Sequence, residues 1–318
     1  MSKLNDLLRG AADAVLTACW QQWRSLLGER VEAQPGQSAM VDPEALVLAS
    51  LSVRSSERRL DDMLMVLAED SHLLSVQRIK SLARWFPGRL TEDLAWFAGM
   101  ARDAGDARWR SLQGAEVREA RGRIRKSMPS LSLRFPAAFM LRMRSGLGVG
   151  VKADLVSCLA GLQATTNRHA GGLSVADLHE VLGYSKAATR TALDEMARVD
   201  VAIREDRRPA RYRLGSVFFQ DLQASAPHVG MTAPPWGYCA QVFAMLISCA
   251  ELHADSGLAA MPGVVQASRL HDLHDRFAFC LPWFGLRPVD PRVHRGEAFV
   301  DGFEPVLQAI VDWAGERL

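Results

Sequence analysis

Apolar residues recur at helical spacing through roughly the first 110 residues of the chain. One long apolar face holds Leu4, Leu7, Leu8, Ala11, Val15, Ala18, Cys19, Trp23, Leu26 and Leu27. Gly28 then ends the first helix. Asp42, Pro43 and Glu44 start another, with an N-cap, a proline at the first helical position and an acid at the positive end of the dipole. The pattern predicts a helical N-terminal domain over residues 1–145.

The last 80 or so residues show the same helical periodicity. It predicts helices at Trp236–Leu252, near Val264–Leu281 and at Glu304–Glu316, with Pro305 in the first turn of the last one. The predicted apolar face of that last helix holds Val306, Leu307, Ile310, Val311 and Ala314. These helices form a predicted C-terminal domain over residues 235–318.

The stretch between these blocks carries the most specific pattern in the chain. Ser174 is a good N-cap, and Val175, Leu178 and Leu182 contribute to one apolar stripe that ends at Gly183. Ser185 caps a second helix after a turn of about three residues, the spacing of a helix-turn-helix. A preceding helix is predicted at about Lys152–Leu162.

The second helix of this pair is predicted to have a buried face and a basic face. The expected buried line is Ala188, Ala192, Met196 and Val199, with Leu193 beside it. Lys186, Thr189 and Arg190 fall at i, i+3 and i+4 on another face near the N-terminal end. Lysine and arginine can donate to the two acceptors of guanine in the major groove. These three residues are therefore predicted to contact bases.

A basic hairpin follows. Val201–Arg204 and Arg211–Leu214 alternate as strands do, with a polar turn between them. Arginines able to neutralise phosphates, which fix register rather than sequence, are Arg204, Arg207, Arg208, Arg211 and Arg213.

The stretch resembles the winged helix-turn-helix domains of bacterial transcription regulators of the MarR-like and ArsR-like kind. The matching positions are Leu173, Ser174, Asp177 and Leu178 in the opening, Leu182, Gly183 and Ser185 in the turn, Arg190, Ala192 and Leu193 in the core, and Arg211 to Leu214 in the hairpin. Many relatives have glycine before the first wing strand where this chain has Asp200, a residue that tolerates left-handed geometry. The resemblance implies a winged helix over 151–215 that binds double-stranded DNA as a homodimer.

Composition limits the other functions. The whole chain carries a net charge of +2, and residues 152–213 carry ten basic and eight acidic residues, so a polyanion site needs local clustering. The five scattered cysteines form no CxxC pair and are expected to be buried thiols in a reducing compartment. No membrane span and no signal peptide are evident, so we expect a cytoplasmic protein.

Other motifs fail spacing tests for chemistry. The segment 145–150, SGLGVG, lacks the phosphate-loop pattern and is predicted to be a flexible joint. His271 and His274, with Asp272 and Asp275, resemble a metal site but are better explained as a polar helix face. The basic segment 116–126 could track phosphates or be a solvated face, and the solvated face is slightly favoured. No enzyme activity, metal or cofactor is expected.

The sequence thus predicts a mainly α-helical protein: a helical N-terminal domain, a central winged helix-turn-helix with a short β-hairpin, and a helical C-terminal block. The favoured function is a DNA-binding transcription regulator, and the sequence leaves activation and repression both open. The alternative is a winged-helix adaptor or antitoxin-like protein that binds a partner protein, in a bacterial defence or toxin–antitoxin operon. Near-neutral charge and large helical flanks support that alternative.

Overall fold

The computed structural model describes residues 3–28, 40–88, 90–112, 131–164, 172–224, 238–254 and 261–317. This part of the chain is mainly helical and contains one small antiparallel sheet. The α-helices are α1 (Lys3–Leu27), α2 (Pro43–Val53), α3 (Arg59–Glu69), α4 (Val76–Ala83), α5 (Leu90–Asp103), α6 (Phe139–Leu147), α7 (Val151–Ala164), α8 (Val175–Leu182), α9 (Lys186–Arg198), α10 (Ser216–Ala224), α11 (Cys239–Ala254), α12 (Gly263–Phe277) and α13 (Ala298–Arg317). Short 3-10 turns occur at Ser71–Leu73, Ala107–Leu112, Pro136–Ala138 and Leu281–Phe284.

The two ends of the chain share one apolar core. The first helix, α1, packs against both α11 and α13, and a salt bridge of 2.9 Å joins Lys3 to Glu304 at the surface. Helix α2 is buried on all sides from Pro43 to Leu51, because α1, α4, α5 and α11 all pack around it. The start of α2 is as predicted, with the side chain of Asp42 accepting from the amide of Ala45 at 3.1 Å.

The sheet has three strands in the order β1-β3-β2, where β1 is Leu173–Ser174, β2 is Ala202–Glu205 and β3 is Arg211–Leu214. Both pairings are antiparallel, with Leu173 opposite Tyr212 and Ala202 opposite Leu214. The hairpin is confirmed, although its first strand begins one residue later than predicted. The two-residue β1 was not predicted, since so short a strand leaves no alternation to detect.

Some predicted boundaries in the C-terminal block are wrong. Helix α13 begins at Ala298, so Pro305 lies inside it and not in its first turn. The added turns bury Phe299 and Phe303, whose rings pack near His274 on α12, and this tertiary contact outweighs the helix-breaking tendency of proline. Helix α12 ends at Phe277, four residues before the predicted end.

The cysteines and the length of the apolar helices were both the subject of expectations from composition. All five cysteines are buried and unpaired, as predicted, and burial raises the pKa of Cys19 to about 12, so this thiol stays protonated at neutral pH. Within the described ranges, no helix combines the length and the apolar character needed to cross a bilayer. The basic segment 116–126 lies outside the described residues.

Candidate nucleic-acid interface

The segment 172–215, called the 172–215 module below, begins as its sequence predicts. Ser174 and Asp177 form a reciprocal capping box at the start of α8, and Gly183 ends that helix with a left-handed φ of 71°. The side chain of Ser185 accepts from the amide of Ala188 at 3.2 Å and so caps α9. Local hydrogen bonding therefore fixes a turn of three residues between the two helices.

The buried face of α9 is confirmed at its centre, by Ala192, Leu193 and Met196, and differs from the prediction at its two ends. Its buried residues are Thr189, Ala192, Leu193 and Met196, whereas Val199 is 68% exposed. The buried set follows i, i+3, i+4 and i+7, a stripe that starts one residue later than predicted. Packing of α7 and α8 against α9 selects this stripe.

The position of Thr189, which was predicted to contact bases, is different in the structure. Thr189 is 0% exposed, and its hydroxyl oxygen has no hydrogen-bond partner among the described residues. It therefore does not lie on an outward face with Lys186 and Arg190, both of which are exposed. A threonine is small and amphipathic, so spacing alone could not decide whether it points inward or outward.

The N-terminal half of α9 is the cationic half. Lys186 and Arg190 have no hydrogen bond or ion pair among the described residues, and they lie at the positive end of the helix dipole. The C-terminal half carries Asp194 and Glu195 as well as Arg198, and Glu195 pairs with Lys152 of α7 at 2.7 Å. An anion is therefore attracted more strongly to the beginning of α9, where residues 186–192 include no acid, than to its end.

The hairpin is joined to α9 by a strained, close-packed turn. Asp200 has a φ of 57°, the left-handed geometry that its residue type tolerates. Gly215, after β3, lies so close that an added Cβ would come within 2.2 Å of the carbonyl oxygen of Asp200. These two positions set the direction in which the hairpin leaves the helix.

The five arginines of the hairpin are in different states. Arg204 and Arg208 are exposed and have no partner in the described part of the chain. Arg207 and Arg213 each lie 3.4 Å from the carboxylate of Glu205. Arg211 donates to the carbonyl oxygen of Gly172 at 2.9 Å and so anchors β3 near β1. Only two of the five hairpin arginines, Arg204 and Arg208, therefore have no partner in the described part of the chain.

A buried ionic network lies directly behind the module. It contains Arg78 and Arg144, both fully buried, with the carboxylates of Asp42, Glu44 and Asp154. Arg144 donates to Asp154 at 2.7 Å and 2.8 Å and to Glu44, while Arg78 donates to Asp42 and Glu44. Although burial alone would raise it, the charges of Arg144 and Arg78 hold the pKa of Glu44 below its usual value.

The same network holds the turn of the module. Arg78 donates through Nε to the carbonyl oxygen of Leu182 at 2.8 Å, and the hydroxyl of Tyr184 donates to Asp154 at 2.7 Å. Sequence reasoning missed this network. Asp42 and Glu44 were read only as a helix start, and no spacing along the chain links them to residues 100 positions away.

His274, one of the two histidines on α12, is held by contacts inside the protein. His274 is buried, its Nε2 accepts the amide of Val289 at 2.9 Å, and its Nδ1 lies 3.2 Å from Asp275. Desolvation lowers the pKa of His274 below its usual value. No group of three or more metal-ligating side chains occurs among the residues that the structure describes.

No family model, curated protein or solved structure matches the chain. A functional assignment therefore depends on the chemistry of the surfaces described above. The exposed cations of the module, at the start of α9 and on the hairpin, offer charged donors suited to phosphate oxygens and to base edges.

Proposed function

We propose that the protein is a DNA-binding transcription regulator in which residues 151–215 form a winged helix-turn-helix. The order of elements supports this assignment: three helices, α7, α8 and α9, are followed by a two-stranded hairpin, and β1 extends the sheet. In this proposal α9 is the recognition helix and the β2–β3 hairpin is the wing. A homodimer would present two such helices about one helical turn of DNA apart, near 34 Å.

The observation that carries the proposal is the exposure of unpaired cations at two places in one module. Lys186 and Arg190 lie at the N-terminal half of α9, and Arg204 and Arg208 lie on the hairpin. We assign the first pair to base edges in the major groove and the second pair to phosphates.

The remaining predicted contacts take different roles in the proposal. Arg207 and Arg213 can exchange Glu205 for a phosphate, since both pairs are partly solvated and worth little in water. Arg211 positions the hairpin through Gly172. Thr189 is left out, because its side chain is buried.

Titration of a labelled duplex from the protein's own upstream DNA tests the proposal. The double variant Arg204→Ala/Arg208→Ala should weaken binding to every sequence and reduce the salt slope by up to ~2, since each lost phosphate contact removes about 0.9. The control variant Arg287→Ala/Arg292→Ala removes the same charge from two exposed arginines of the C-terminal block. Equal slopes for the wild type and both variants would exclude the hairpin from binding.

A partner-binding adaptor, including an antitoxin-like one, is the second candidate. Two observations favour it: Glu205 pairs with two of the hairpin arginines, and α10 exposes 70% of Val217 beside half-buried Phe218. An apolar helix next to the module is suited to contact with another protein. If the wild-type protein binds no duplex at low salt, this candidate replaces the regulator.

A further inference from the structure

Helix α4 exposes one polar stripe beside the module. Four polar residues at i, i+3, i+4 and i+7 share one face of this helix: Gln77, Lys80, Ser81 and Arg84. The last of them, Arg84, is the C-cap of α4. Gln77, Lys80 and Arg84 are exposed, and Ser81 is half-buried. No acidic residue occurs from 76 to 84. The stripe is therefore purely cationic in its charge.

Ser81 of this stripe, with its neighbour Leu82, adjoins the turn that precedes α9. A Cβ added at Gly183 would lie 3.3 Å from the Cβ of Ser81 and 3.2 Å from a methyl group of Leu82. Arg78 shares the face of α4 that carries Ser81 and Leu82, at i, i+3 and i+4, and its bond to the carbonyl oxygen of Leu182 holds α4 against the same turn. A packing contact and a buried hydrogen bond on the same side of α4 fix this helix next to the turn that precedes α9.

The basic surface continues past α4. Lys80 donates through Nζ to the hydroxyl of Ser111 at 2.8 Å, which brings the turn Ala107–Leu112 and its exposed Arg110 alongside. The nearest acid of that turn, Asp106, is already paired with Arg108 at 2.6 Å. The exposed cations of these elements and of α9 include Arg110, Lys80, Arg84, Lys186 and Arg190.

We propose that α4 is a second phosphate-binding element, so that the duplex rests on α4 as well as on the module. This inference builds on the proposed DNA-binding function. A major groove that receives the N-terminal end of α9 has phosphates on both sides, about 12 Å apart. The strand on the side of α4 passes Lys80 and Arg84, while the hairpin, which leaves the other end of α9, meets DNA elsewhere. The footprint is accordingly longer than that of the module alone.

The opposite possibility is that α4 obstructs the groove. A helix fixed beside the turn by Arg78 would then compete with the duplex, and loss of its charges would leave the affinity unchanged or raise it. The sign of the charge effect on α4 therefore separates a contact from an obstruction.

The first test uses the full-length double variant Lys80→Ala/Arg84→Ala in duplex titrations at several salt concentrations. We expect affinity to fall on the order of tenfold and the salt slope to drop by up to ~2, with little change in melting temperature because both side chains are exposed and the bond of Lys80 to Ser111 lies at the surface. Arg287→Ala/Arg292→Ala again serves as the charge-matched control. Affinity equal to or tighter than that of the control overturns the proposal.

A variant that adds a positive charge gives a second test, which does not depend on removing a side chain. Gln77→Lys adds a cation to the same stripe, and we expect tighter binding and a steeper slope. Gln308→Lys, at an exposed position of α13, is the matched control. If the module variants weaken binding but the α4 variants do not, the inference fails and the regulator stands. If the wild type shows no salt-dependent binding, both fail.

Discussion

Arg78 of α4 donates a hydrogen bond of 2.8 Å to the carbonyl oxygen of Leu182, 104 positions later in the chain. Leu182 is the last residue of α8, where main-chain carbonyls lack partners within the helix. A side chain from the N-terminal block thus completes the helix end that precedes α9. This bond and that of Tyr184 to Asp154 join the turn before α9 to the buried ionic network.

We predict that Arg78→Met destabilises the protein by about 3–5 kcal/mol, because it leaves buried charge at Asp42 and Glu44 and an unpaired carbonyl at Leu182. Urea unfolding measures the change. Lys152→Met, which breaks the exposed pair with Glu195, should cost less than ~1 kcal/mol. Equal effects of the two substitutions would show that the buried network contributes no more than a surface pair.

Thr189→Val should stabilise the protein by about 1 kcal/mol, since valine has the same shape and removes a buried hydroxyl without a partner. Affinity for DNA should not change. Thr189→Ser, which keeps the hydroxyl and loses the methyl group, should destabilise instead. Weaker DNA binding by Thr189→Val at unchanged stability would restore the sequence-based role of this residue as a base contact.

Gly215→Ala should destabilise by about 1–3 kcal/mol, because the new Cβ would lie 2.2 Å from the carbonyl oxygen of Asp200 and backbone must move. Thermal melts give the measurement. Gly146→Ala in α6 is the control, as nothing lies within 4 Å of its added Cβ, and alanine favours helix by up to ~1 kcal/mol. A Gly215→Ala variant as stable as the wild type would contradict the close approach.

Stability should fall as pH decreases below 6.5. The folded protein lowers the pKa of His274 from that value by desolvation, so the unfolded chain binds the proton more strongly. Protonation of Nε2 would also break its bond to the amide of Val289, while His271 and Asp275 remain nearby. In urea unfolding across this pH range, His274→Gln should lose less stability than the wild type as the pH falls. An unaltered pH profile, matching that of exposed His72→Gln, would refute the assignment.

The local elements of the 172–215 module could be predicted because their determinants are close in sequence. Ser174 with Asp177, Gly183 with its positive φ, and Ser185 each act within a few residues of the bond that they make. Asp200 is a further case, since its left-handed conformation follows from a side chain that tolerates it.

The predictions that were wrong concern features that residues close in sequence do not determine. Whether Thr189 points inward depends on how α7 and α8 pack on α9, and α13 extends through Pro305 because distant rings cover its first turns. Both decisions depend on contacts between elements far apart along the chain.

By itself, the sequence determined the helical character of the protein, the capped pair α8–α9 and the arginine-bearing hairpin, since propensity, caps and periodicity act over one or two turns. Only the tertiary structure decided which cations are free, that Arg78 and Arg144 are buried among three carboxylates, and that α4 borders the turn before α9. These features require side chains separated by tens to hundreds of residues to leave water together, and the burial that makes their pairing strong exists only in the folded protein.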